Sequence, residues 1–167
     1  IYAEAFGAED AIVRHSFTCG THTLCVALFG LLRPGDTMLC VTGKPYDTIH
    51  SVIGLSGNGM GSLKDFGVKY EQVELNSDGL PDLPAIEKAL EKKPRMVYIQ
   101  RSRGYSLRPS LSVAQISEIA ALVKSKWDAI VMVDNCYGEF VETTEPCYVP
   151  EGAVNEAPAD LIAGSLI

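Results

Sequence analysis

The residues best placed to do chemistry in this chain stand where apolar runs break off. Ala129–Val133 is five apolar residues, with the length and β-branched content of a buried parallel strand, and it ends in Asp134-Asn135-Cys136-Tyr137-Gly138. In open α/β sheets, ligands sit in the crevice beyond the carboxyl ends of the strands. A carboxylate placed there against apolar walls carries a desolvation penalty unless a cation faces it. Asp134 is therefore expected to have a positively charged partner.

A second group is Thr18-Cys19-Gly20-Thr21, which leads into the helical run Thr21–Leu32. A glycine loop at a helix start presents backbone N–H groups and the positive end of the dipole, a seat for phosphate. The alternative is that Gly20 merely helps turn a loop into a helix. The loop is neither GxGxxG nor a Walker loop, so neither NAD nor ATP is favoured. Cys19, His22 and Cys25 stand at three-residue steps, but no CxxC or HxH pair elsewhere completes a metal site. Packed thiols and a helix-surface histidine are the stronger reading. Tyr46, after Pro45 and the run Thr37–Val41, can cover the flat face of an aromatic ligand or pack in the core. Gln100-Arg101-Ser102-Arg103-Gly104-Tyr105 closes the run Met96–Ile99 with two cations, which could hold a carboxylate or phosphate or be solvated. Glu139 and the acids between Glu142 and Glu156 read as a solvated loop. No Ser-His-Asp or Cys-His arrangement declares itself, and His15, His22 and His50 need no chemical role.

The elements that must position these groups follow from periodicity. Ile1–Phe6 reads as a helix tail closed by Gly7. Thr21–Leu32 places Leu24, Ala27, Leu28 and Leu31 at helical spacing. Strands are expected at Thr37–Val41, Val68–Leu75, Met96–Ile99, Ala129–Val133 and Asp160–Ser165. Between them lie a helix capped by Asp47 and running to about Ile53, an amphipathic helix Pro84–Glu91, and a longer one over Ser112–Lys126 with Ser112 and Gln115 as a capping box. Alternation of strand and helix requires an α/β fold: three layers, with a mostly parallel sheet covered on both faces.

With 167 residues, 47% hydrophobic and 21% charged, the chain is expected to form one domain with a real core. A net charge of −7, with no basic run longer than two residues, argues against nucleic acid or an anionic membrane as partner. The apolar stretches are strand-sized, which excludes a membrane span. No signal peptide opens the chain, and five cysteines, an odd number with several in apolar runs, suit a reducing cytoplasm. The first residue is Ile1 and the last, Ile167, follows an apolar segment, so the chain is expected to be the middle of something longer.

Taken together, the glycine loop, the tyrosine and the strand-end aspartate resemble the cofactor site of pyridoxal-phosphate enzymes of the aspartate-aminotransferase fold (fold type I). The closer resemblance is to the cysteine- and methionine-metabolism branch. The segments GTH at 20–22, GKPYDT at 43–48, QRSRGY at 100–105, VDNCYGEF at 133–140 and AGSLI at 163–167 are similar to those of the aluminium-resistance proteins, relatives of methionine γ-lyase and cystathionine lyases. The resemblance implies that residues 1–167 are the pyridoxal 5'-phosphate-binding large domain, incomplete here. Asp134 would face the pyridine nitrogen and Tyr46 would stack on the ring. The backbone of Cys19, Gly20 and Thr21 would hold the phosphate with the hydroxyl of Ser165. Asn135, Arg101, Ser102, Arg103 and Tyr137 would lie near the ring's edge or the substrate. The lysine that carries the cofactor covalently would come directly after Ile167, since Lys44, Lys64 and Lys69 stand in the wrong context. Related lyases also have a threonine where Ile167 stands. The implied activity is β- or γ-elimination at a C–S bond of a sulfur amino acid, in a homodimer or homotetramer whose subunits share the cofactor sites. A non-catalytic cofactor-binding stress protein and an aminotransferase are the alternatives.

Overall fold

The computed structural model describes residues 1–57, 59–148, 152 and 156–165. Its framework is one five-stranded sheet: β1 (Thr37–Cys40), β2 (Lys69–Gln72), β3 (Met96–Gln100), β4 (Ile130–Asp134) and β5 (Leu161–Ala163). The strands lie in the order β2-β1-β3-β4-β5, and every pairing is parallel. Five helices accompany them among the described residues: α1 (Tyr2–Phe6), α2 (Gly20–Leu31), α3 (His50–Ile53, preceded by a 3-10 turn over Asp47–Ile49), α4 (Leu83–Leu90) and α5 (Val113–Lys126).

The central strands are apolar on both sides because both faces are covered. Val97, Ile99, Val131 and Val133 meet Ile86 and Leu90 of α4 and Ile116, Ile119 and Val123 of α5. On the other face Met96, Tyr98 and Met132 meet Leu24 and Leu28 of α2 and Ile49 and Ile53 around α3. The period-2 alternation of the strands thus sorts one sequence into two cores. It also puts Asp134 on the α2 face, in step with Met132, with Gln100 of β3 directly opposite.

The ends of the helices are set by local chemistry. Ser112 Oγ accepts from Gln115 N–H (3.2 Å) while Gln115 Oε1 accepts from Ser112 N–H (2.9 Å), the expected capping box. Gly7 closes α1 at φ 64, where a side chain would be strained. Several expected boundaries need correction. The turn before α3 is capped by the backbone at Tyr46, and Asp47 is its first residue, making no capping bond. The helix placed at Pro84 begins at Leu83, because Asp82 Oδ1 accepts from Ala85 N–H (3.0 Å). Strand β2 is also shorter than expected, since only Lys69–Gln72 pairs with β1.

Candidate functional site

The strand order reverses between β1 and β3, and in doubly wound sheets such a switch point opens a crevice at the carboxyl edge. The chain leaves β1 through Tyr46, β3 through Gln100, β4 through Asp134 and β5 through Ser165. Four groups named from sequence therefore converge on one edge.

Helix α2 points its amino end there. Cys19 caps it, its Sγ accepting from His22 N–H (3.4 Å) and its carbonyl from Thr23 N–H (3.1 Å). The amides of Gly20 and Thr21 take no hydrogen bond among the described residues, so they are the two donors left for a ligand. Gly20 is required by close approach: a Cβ there would lie 2.9 Å from Cys136 Sγ and 3.3 Å from Ser165 Cβ. The Thr21 hydroxyl donates to Thr48 Oγ1 (3.1 Å), tying the helix start to the turn after Tyr46. His22 Nδ1 faces the Thr18 hydroxyl (3.2 Å), and no metal-ligating cluster occurs among the described residues.

Asp134 is 5% exposed. Its Oδ2 accepts from the Tyr98 hydroxyl (3.1 Å) and its Oδ1 from Cys136 N–H (3.1 Å). No lysine, arginine or histidine pairs with it among the described residues. Burial accordingly pushes its pKa above the usual carboxylate range, outweighing the hydrogen bonds from Cys136 and Tyr98 that pull it down. Tyr98 and Cys136 are driven up in turn, first by burial and then by the Asp134 charge.

Tyr46 is half-buried, and its N–H donates to Gln100 Oε1 (2.6 Å). Its ring leans on Tyr105, with centroids 5.5 Å apart. Gly104, at φ 57, lies so close that a Cβ would be 3.0 Å from Tyr46 Cδ2. The side chain of Tyr46 is thus held against the loop that follows β3.

The remaining positions divide between buried groups with partners inside the protein and exposed ones. Arg101 is 2% exposed and its guanidinium is fully engaged: Nη1 donates to Asn135 Oδ1 (2.9 Å), Gly138 O (2.8 Å) and Glu145 Oε2 (3.1 Å), and Nη2 to Glu142 Oε1 (2.8 Å). Two carboxylates of the protein itself, Glu142 and Glu145, thus neutralise it. Asn135, wholly buried, donates to Glu145 Oε2 (3.0 Å), so its amide faces the protein rather than the crevice. Ser102 serves through its carbonyl, which accepts from Gln100 Nε2 and Arg108. Arg103 and Tyr137 are exposed, Tyr137 at φ 66. The reading of the acids as a solvated loop holds for Glu156 and for the exposed though ion-paired Glu142, fails for Glu139 and Glu145, and for Glu151 lies outside the described residues. Glu145 is 3% exposed and ion-paired, Glu142 also accepts from Val113 N–H at the start of α5, and Glu139 accepts from Ser165 N–H. Leu166 and Ile167 lie outside the described residues.

Sequence reasoning gave no individual role to Tyr98, Gln100 or Arg108. A signal existed for the first: a hydroxyl in the middle of a buried strand must find a partner. Arg108, buried and bonded among the described residues only to carbonyls (Gln100 O at 2.8 Å, Ser102 O, Pro109 O), had none. A separate depression of about 380 Å³ lies at the opposite, amino-terminal edge of the sheet, beside Arg95, Lys124 and Asp160. Lys124 and Asp160 are already paired (2.7 Å), and none of the groups above reaches it.

Two helix amides for an anion, a tyrosine ring and a buried acid without a cation fit a phosphorylated, cationic heteroaromatic group. The five-stranded parallel sheet with its flanking helices is the α/β fold of the fold type I class. At 20% identity, the pyridoxal-5'-phosphate-dependent protein YhfS of Escherichia coli shares the fold over 80% of the chain (TM-score 0.53). The methionine gamma-lyase family profile matches residues 1–167, and the chain belongs to that family. It is 48% identical to the uncharacterized protein YnbB of Bacillus subtilis (strain 168), over all of the chain and 38% of YnbB. A solved structure from Clostridium acetobutylicum, of a protein described as involved in aluminum resistance, superposes with a TM-score of 0.88 at 44% identity, over 99% of this chain and 38% of that one. A carbon-sulfur lyase involved in aluminum resistance from Clostridium novyi NT superposes with a TM-score of 0.82 at 52% identity, over 87% and 35%. The chain thus spans somewhat over a third of the length of these relatives. No helix among the described residues is long and apolar enough to cross a membrane.

Proposed function

We propose that the protein containing this chain is a pyridoxal-phosphate-dependent carbon-sulfur lyase that acts on a sulfur-containing amino acid by β- or γ-elimination, working as a homo-oligomer. The observation that carries the reading is Asp134: a buried carboxylate at the carboxyl edge, hydrogen-bonded yet without a cation among the described residues. When bound, pyridoxal phosphate supplies a sink for the electron pair left as an amino acid loses its α-proton. Asp134 would hold the proton on the ring nitrogen, the state in which the ring draws electrons best. Tyr98 and the Cys136 amide would orient that carboxylate, and Gln100 and Gly104 would hold Tyr46 against the ring face. Gly20 and Thr21 N–H, with the Ser165 hydroxyl, would bind the phosphate. In this reading Arg101 and Asn135 act behind the site, fixing the turn that carries Asp134.

The test uses the full-length protein. It should show a visible absorbance band that borohydride bleaches. Incubated with cystathionine, methionine and cysteine, it should release pyruvate or 2-oxobutyrate together with ammonia from at least one of them. A 2-oxo acid formed only by amino-group exchange would instead mark an aminotransferase. A cofactor-loaded protein that turns over none of the three would favour a binding role.

A further inference from the structure

Glu139 closes the motif that begins at Asp134, and its side chain turns inward. Its Oε1 accepts from Ser165 N–H at 2.6 Å. Gly164 leaves room for this, since a Cβ there would collide with Glu139 Oε1 and lie 3.1 Å from Cδ. Unlike Glu142 and Glu145, Glu139 forms no ion pair among the described residues. Its partners are therefore the backbone at the exit of β5.

That exit places Ser165, whose Cβ and Oγ come within 3.3 and 3.8 Å of where a Gly20 side chain would begin. One short turn, Asp134 to Glu139, thus has a carboxylate at each end. The first is buried at the edge of β4. The second grips the segment that brings a hydroxyl beside the free amides of α2. We infer that Glu139 is a positioning residue for anion binding: it clamps Gly164 and Ser165 to the β4 turn, so that the Ser165 hydroxyl and the α2 amides converge on one phosphate. The inference rests on the pyridoxal-phosphate reading above. It needs the acceptor oxygen of Glu139 rather than its charge, because a carboxylate beside a phosphate seat repels the ligand.

Equilibrium dialysis of the full-length protein, stripped of cofactor, against pyridoxal 5'-phosphate and against pyridoxal separates the possibilities. The wild type should prefer the phosphorylated form. Glu139→Ala should weaken binding of that form by about tenfold while leaving pyridoxal unaffected, as expected for loss of one hydrogen bond. Glu139→Gln should bind at least as tightly as the wild type, since it keeps an acceptor and removes the repulsion. Gly164→Ala should behave like Glu139→Ala. Undiminished preference for the phosphorylated form in Glu139→Ala would overturn the inference, as would equal loss of both ligands. A wild type that binds neither would overturn the cofactor reading itself, and the inference with it.

Discussion

Asp134 holds two hydrogen bonds and a desolvated charge, and the balance between them depends on what faces it. With its pKa raised in the folded chain, the native state keeps this proton at pH values where the unfolded state has released it. The side chain is therefore neutral in its effect at low pH. It becomes destabilising as pH rises through the native value, unless a cation faces it. Without cofactor, Asp134→Asn should melt higher than the wild type at neutral pH, the difference closing below about pH 4, near the ordinary aspartate value. Asn can still accept from the Cys136 amide while its NH2 faces the Tyr98 hydroxyl. With pyridoxal phosphate the order should reverse: the wild type gains the ion pair, and the variant loses cofactor on dialysis and turns over poorly. Equal melting temperatures across the pH range in both states would count against this account of Asp134. Glu145 poses the opposite problem, a buried acid whose partner is built in. Glu145→Ala leaves Arg101 buried and underpaired and should cost about 3–5 kcal/mol, read as a lower urea midpoint.

At the scale of elements, the site depends on how closely α2 approaches the exits of β4 and β5. Gly20 sets that distance. Gly20→Ala would force Cys136 and Ser165 aside and should cost about 1–3 kcal/mol, the usual range for overpacking. It should also weaken pyridoxal 5'-phosphate binding more than pyridoxal binding, because the displaced groups lie at the anion seat. Dialysis and thermal melting of the one variant check both. The loop after β3 works in a similar way on Tyr46. Arg108 staples it through the carbonyls of Gln100, Ser102 and Pro109, and Gly104 and Tyr105 then meet the tyrosine ring.

For the whole molecule, the chain spans somewhat over a third of the length of its relatives, and the proposed activity belongs to the full-length protein. Elimination should therefore be sought in the complete protein. In it Asp134→Ala should lower the release of 2-oxo acid and ammonia by orders of magnitude, because the electron sink is lost. Turnover at the wild-type rate would remove Asp134 from the proposed mechanism.

Periodicity alone determined the parallel sheet and its two covered faces, because a buried strand must be apolar on both sides and a helix between strands must be amphipathic. The placing of Asp134 at a strand end was equally legible, since a charge cannot continue an apolar run. The partners of the acids were not. Arg101 and Glu145 stand 44 residues apart, and nothing in either segment marks one as the counter-ion of the other. Glu139 and Ser165 meet only because β4 and β5 lie side by side and release their chains at the same edge. Pairing across a sheet is settled by strand order, and strand order is a property of the packed chain rather than of any stretch of it.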